Sequence, residues 1–171
     1  MALPASRPLF LLALFVCVAL MGAALYLEHV VGLEPCPLCI IQRVLLILVG
    51  LVCLVALIHH PRARPSAERA VAARLYGAGV AFFALLGAAV AGRQVWLQHQ
   101  PSDQLPSCLP SLDYMIDVLP LQDIMRMLFS GTADCAKVDW TFLGLSIAEG
   151  TLLAFIAFGL FGLTQLFRTS D

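Results

Sequence analysis

The chain has 171 residues, 61% of them hydrophobic and 12% charged, with a formal net charge of −1. A mean hydropathy of +0.92 excludes an ordinary soluble domain and points to an integral membrane protein in contact with lipid. The near-zero net charge says little about partners by itself, and no nucleic-acid partner is expected.

Taken in chain order, the first charge-free stretch covers 9–27. Arg7 before it and Gly22, Ala23 and Ala24 late in it resemble a signal peptide, but 19 apolar residues exceed the ~7–15 of a cleavable segment, so it is read as a membrane anchor. Stretches 75–92 and 150–167 also lack Asp, Glu, Lys and Arg, and 40–58 is interrupted only by Gln42 and Arg43. Each approaches the ~20 residues that cross a hydrocarbon core at about 1.5 Å per residue. The expected fold is an all-α membrane protein, a single domain over 1–171 built as a four-transmembrane-helix bundle.

Positive charge sets the orientation. Arg7, then Arg62, Arg64, Arg69 and Arg74, then Arg168 fall on the N-terminal tail, the 59–74 loop and the C-terminal tail. The positive-inside rule puts these three in the cytoplasm, and with them both termini. The opposite side receives 28–39 and the long segment 93–149, where Asp103, Asp113, Asp117, Asp123, Asp134 and Asp139 outnumber Arg126 and Lys137. Within that segment Leu121, Ile124, Met125 and Leu128 follow an amphipathic spacing after Pro120. They fit a short helix lying on the membrane surface or folded over the bundle. His59 and His60 beside the loop arginines read as a surface feature.

Topology divides the six cysteines. Cys17 and Cys53 fall inside spans, where cysteine serves as a small apolar filler. Cys36, Cys39, Cys108 and Cys135 fall on the side that permits disulfides. Cys36-Pro37-Leu38-Cys39 opens the second span, with Pro37 suited to a first helical position. There the unpaired N–H groups and positive end of the helix dipole favour a thiolate, which is the form that attacks a disulfide. A static disulfide, or zinc held jointly with Cys108 and Cys135, uses the same residues. Four cysteines allow three pairings, and their spacing does not choose between them. Cys108 and Cys135 have 26 residues between them, with Ser107, Pro110 and Gly131 to bend the loop.

Arg43 lies four residues after Cys39, on the same helix face and about 6 Å deeper. A guanidinium there is expensive. It can stabilise a thiolate, donate to a carbonyl oxygen that gains negative charge, or snorkel to the nearby headgroups.

Together with the later Trp140-Thr141-Phe142-Leu143-Gly144-Leu145, these residues resemble the disulfide bond formation protein B family over essentially the whole chain. The resemblance implies a thiol:quinone oxidoreductase of the bacterial inner membrane. In it the Cys108/Cys135 pair accepts electrons from a reduced periplasmic thioredoxin-fold oxidase of the DsbA type, and the Cys36/Cys39 pair relays them to membrane quinone, ubiquinone or menaquinone. By the same resemblance Cys108 forms the mixed disulfide with the partner and Cys135 completes the loop pair. Cys36 exchanges with that pair, and Cys39 contacts quinone beside Arg43. The redox order agrees, since a DsbA-type oxidant near −120 mV needs an acceptor stronger than a pool near about −200 mV, values established for this system and not read from the chain. One position departs from the family pattern. Some members carry a quinone-binding histidine near the start of the long loop, where this chain has Arg93-Gln94-Val95-Trp96. Gln94, the nearest candidate, donates a hydrogen bond but does not titrate near neutral pH. His99 lies five residues on. Two other readings use the same cysteines: a reductase of the vitamin K epoxide reductase type, and a metal-binding or structural bundle. Glu149, close to the headgroups, is read as interfacial and not as a site residue.

Overall fold

A computed structural model describes residues 6–33, 35–59, 66–100, 120, 141–142 and 144–167. Cys108, Cys135, the 121–128 segment and Trp140 lie outside the described residues.

Among the described residues four helices are long and apolar enough to cross a membrane: α1 (Ser6–His29), α2 (Pro37–His59), α3 (Ser66–Gln98) and α4 (Ile147–Leu166). Helix is the expected outcome, because in lipid each backbone N–H and C=O must find its partner within its own segment. The helices outrun the charge-free stretches. α3 begins nine residues earlier and ends six later than 75–92, since the added turns are rich in Ala, Arg and Gln, which carry little helix penalty even where water meets them.

Each helix buries a narrow stripe. On α2 it consists of Leu38, Gln42, Leu46, Val49, Gly50, Cys53 and Ala56, spaced three and four apart as one face of a helix requires. The outward faces present Leu11, Phe15 and Val18 on α1, Val44, Ile47 and Leu51 on α2, and Leu153 and Leu160 on α4. Such surface is costly in water and neutral in lipid, so the apolar exterior is what a bilayer demands. α2 packs between α1 and α3, and α3 in turn packs along α4. Phe10 of α1 meets Phe161 of α4 edge-on, with ring centroids 5.3 Å apart, and closes the bundle.

With no hydrophobic force between helices in lipid, close approach through small residues holds the α3–α4 pair. A Cβ added at Gly162 would lie 2.6 Å from the Ala81 nitrogen and 2.7 Å from the Gly77 oxygen. Only glycine leaves room for these backbones.

Between α3 and α4 the chain forms a two-stranded antiparallel hairpin, β1 (Thr141–Phe142) and β2 (Leu145–Ser146), pairing Thr141 with Ser146 and Phe142 with Leu145. Gly144 in its turn has φ +83°, a left-handed conformation that glycine adopts without steric cost. This element adds two very short strands to the expected all-helical fold. Ser146 then caps α4: its Oγ accepts from the Glu149 N–H at 3.2 Å, and the Glu149 carboxylate accepts from the Ser146 N–H at 2.7 Å. Glu149 is therefore one half of a capping box. The Ser146 hydroxyl also donates to Gln98 Oε1 at 2.9 Å, which ties the start of α4 to the end of α3. The 28–36 link, the end of α3 and the hairpin thus share one end of the bundle.

Candidate redox site

Pro37 is the first residue of α2. Its fixed φ suits that position, and it has no N–H to leave unsatisfied. Cys36 therefore stands just before the helix and Cys39 one turn inside it. Their Sγ atoms are 2.9 Å apart, so about 0.9 Å of movement separates them from the ~2.05 Å of a covalent bond. The Cys39 N–H donates to Cys36 Sγ at 3.4 Å. This is one of the N-terminal N–H groups that helix geometry leaves over, and it is aimed at sulfur as the C-x-x-C spacing predicts.

The pair sits in a small apolar cluster separate from the main core, formed by Cys36, Leu38, Val90 and Leu97 with Cys39, Ile41 and Leu45 packed against it. Cys36 is buried and Cys39 half-buried. Into this cluster α3 brings Gln94, itself buried. Its amide donates to Cys39 Sγ at 3.3 Å and to Cys36 Sγ at 3.5 Å, and its Oε1 lies 3.8 Å from Cys39 Sγ, within reach of a thiol proton. Gln42, on the buried face of α2, donates to Gln94 Oε1 at 2.7 Å. One amide, backed by a second, and a helix N-terminus thus reach two sulfurs in an otherwise apolar setting, where hydrogen bonds are electrostatically stronger than in water.

Arg43 points the other way round α2. It forms an ion pair with Glu28 of α1, and its second guanidinium nitrogen donates to the Ala24 carbonyl at 3.3 Å. Both side chains remain partly exposed. The guanidinium carries five N–H donors, so these two partners leave donors for a third group. Arg43 is held at the α1–α2 boundary, neither lost in the core nor swung freely into the headgroups.

The structure brings together Cys36, Cys39 and Gln94 and places Arg43 one turn further along α2. His99 makes a local bond from Nδ1 to the Val95 carbonyl at 2.8 Å. Sequence reasoning missed Gln42 and Glu28. In the sequence Gln42 reads as an interruption of an apolar run, although a polar side chain three residues after a cysteine within a span is itself a signal. Glu28 closes the first span and offers Arg43 its counter-charge.

Four membrane-spanning helices that hold a C-x-x-C pair at one bundle end, with donors aimed at both sulfurs, define a multi-pass membrane protein equipped for thiol chemistry. The family model for disulfide bond formation protein DsbB matches residues 6–165, and the chain belongs to that family. It is 54% identical over 168 residues to disulfide bond formation protein B 1 of Pseudomonas aeruginosa strain PAO1, covering 98% of this chain and 99% of that protein. It is 52% identical, with the same coverage, to disulfide bond formation protein B of Stutzerimonas stutzeri. Disulfide bond formation protein B of Methylococcus capsulatus is 47% identical over 165 residues, with 96% of each chain covered.

Proposed function

We propose that the protein is an inner-membrane thiol:quinone oxidoreductase that makes disulfides on the periplasmic side. Electrons enter from a reduced thioredoxin-fold oxidase of the DsbA type through Cys108 and Cys135. They pass by thiol–disulfide exchange to the Cys36/Cys39 pair, and leave to a membrane quinone. The observation that carries the reading is the Cys36–Cys39 pair itself, 2.9 Å apart at a helix N-terminus and hydrogen-bonded by Gln94. Family membership over nearly the whole chain supports the same role.

The chemistry follows from the donors. Exchange requires a thiolate to attack a disulfide sulfur. The Cys39 N–H and the Gln94 amide both favour negative charge on Cys36. Re-forming the Cys36–Cys39 bond releases two electrons and two protons, which the acceptor takes up. A quinone, when bound, supplies that two-electron acceptor. The Arg43 guanidinium, which keeps donors to spare, is the group that would hold a carbonyl oxygen as it gains negative charge, with Cys39 as the sulfur it would meet and Gln94 able to join once its NH₂ leaves the sulfurs. Glu28 keeps Arg43 oriented, and the apolar wall of Val90, Leu97 and Leu45 limits access of water to the sulfurs.

The test is quinone absorbance over time, with purified protein in detergent, a reduced thioredoxin-fold oxidase and a soluble ubiquinone analogue. Quinone is expected to be consumed only when the thiol partner is present, and not at all by Cys39→Ser. Wild-type protein that consumes no quinone with several partners and quinones, and carries stoichiometric zinc, would replace this reading with a metal-binding bundle.

A further inference from the structure

Gln42 is 5% exposed, in the buried stripe of α2, and the site as described leaves it without a task. Its Nε2 donates to Gln94 Oε1 at 2.7 Å. A side-chain amide has a donor end and an acceptor end, and the two can exchange places by a half-turn. As the structure stands, the donor end of Gln94 faces Cys36 and Cys39 at 3.5 and 3.3 Å. The reverse orientation would turn the amide oxygen onto the sulfurs and set the Gln94 NH₂ against the Gln42 NH₂, donor against donor. Gln42, while it presents its NH₂ as it does here, therefore selects the orientation of Gln94. That choice has a chemical consequence, because a donor beside sulfur favours the thiolate whereas an acceptor favours the thiol.

We propose that Gln42 is a positioning residue, which holds the Gln94 amide with its NH₂ toward Cys36 and Cys39 and so keeps Cys36 available as the attacking thiolate. The proposal rests on the reading of Cys36/Cys39 as an exchanging pair. Cys36 is the sulfur it concerns most, since the Cys39 N–H also donates to it at 3.4 Å. When Cys39 is a thiol, its proton can point to Gln94 Oε1 at 3.8 Å, so the fixed amide serves one sulfur as a donor and the other as an acceptor. The charged and titratable groups at this end of the bundle come from every helix. Among the described residues they are Tyr26, exposed on α1; Glu28 and Arg43, which pair across α1 and α2; His29, bonded to the Leu25 carbonyl; Arg93, whose guanidinium lies 4.3 Å over the Trp96 ring; His99, bonded to the Val95 carbonyl; and Glu149 in the α4 cap. Changing Gln42 to an apolar residue leaves all of them in place.

The experiment is the rate of iodoacetamide labelling of Cys36 across pH, read on the Cys36-containing peptide by mass spectrometry, in reduced full-length protein in detergent. Gln42→Met should slow labelling at pH 7 about tenfold, equivalent to moving the midpoint of the profile up by about one pH unit. Gln42→Glu keeps the size of the side chain, so it guards against a packing defect in the methionine variant. Its carboxylate accepts from the Gln94 NH₂ and draws it from the sulfurs, and the midpoint should again rise. In a Gln94→Met background, Gln42→Met should add little, because the residue through which it acts has gone. A wild-type profile in both Gln42 variants, or a full additional shift in the double variant, overturns the proposal. Quinone turnover of the same wild-type preparation separates the two readings. Turnover with an unmoved Gln42 profile sinks only the positioning role, whereas absent turnover with a shifted profile sinks only the quinone oxidase.

Discussion

Cys17 and Cys53 are as deeply buried as Cys36, yet the two environments have nothing else in common. Cys17 and Cys53, free thiols like Cys36 and Cys39, stand in the main core with Phe10, Ala13, Leu46 and Val49 and, among the described residues, make no hydrogen bond. Cys36 and Cys39 stand in a smaller cluster at the bundle end, where a helix N–H and a buried amide reach the sulfurs. Burial alone penalises the thiolate; donors at the sulfur oppose that penalty. What distinguishes the two pairs of cysteines in this bundle is which polar groups the neighbouring helices bring to them, and depth does not decide.

That comparison breaks most sharply by mutation of the cysteines themselves. Cys36→Ser or Cys39→Ser should lower thiol-dependent quinone reduction by at least ~1000-fold, since a hydroxyl cannot replace the exchanging sulfur. The helical content and thermal midpoint should stay close to wild type. Cys17→Ala and Cys53→Ala should do the opposite: turnover within about twofold, and a stability loss of about 1–2 kcal/mol from the small cavity left behind. Circular dichroism melts alongside quinone absorbance measure both. Loss of turnover in well-folded Cys17→Ala would undo the division of the cysteines.

The spans, their number and the C-x-x-C at the head of α2 were legible because each is written in consecutive residues: charge-free runs, and a proline where a helix starts. Contacts between helices were not. Gln42 and Gln94 are 52 positions apart, and neither helix's own periodicity shows that their amides meet. In the sequence Gln94 stands out only as the residue where some relatives carry a histidine, whereas its hydrogen bonds to Gln42 and to both sulfurs require α2 and α3 side by side. The hairpin at 141–146 escaped because four paired residues are too few for alternation to register. The ends of α3 escaped for a different reason, since charge limits a membrane span but does not limit a helix.

Arg43 sharpens the comparison from the polar side. It is the only charge between 40 and 58, and Glu28 and the Ala24 carbonyl hold it at the α1–α2 boundary. Arg43→Gln should lower kcat/KM for the quinone analogue about 10- to 100-fold, or about 1.4–2.7 kcal/mol of transition-state stabilisation. Glu28→Gln should cost less than about tenfold, because the guanidinium keeps its bond to Ala24. Neither change should move stability by more than about 1 kcal/mol, since both side chains are more than a fifth exposed and such pairs contribute little. Equal kinetic losses in the two variants would mean that the pair, and not Arg43 alone, meets the acceptor.

The smallest effect is expected at Ser146, and it tests whether the hairpin is a cap or part of the machinery. Ser146→Ala removes the acceptor for the Glu149 N–H and the donor to Gln98 Oε1. Loss of an N-cap of this kind costs about 1 kcal/mol, which should appear as a lower thermal midpoint in detergent. Gln98 is one turn beyond Gln94 on α3, so the hairpin is linked to the sulfurs through a single helical turn. If that turn is rigid in its own right, turnover of the variant stays within about twofold of wild type. A turnover loss well beyond that, with the helices still formed, would show that the Ser146–Gln98 bond sets the position of Gln94, and that the reactive surroundings of Cys36 and Cys39 extend across α3 to the start of α4.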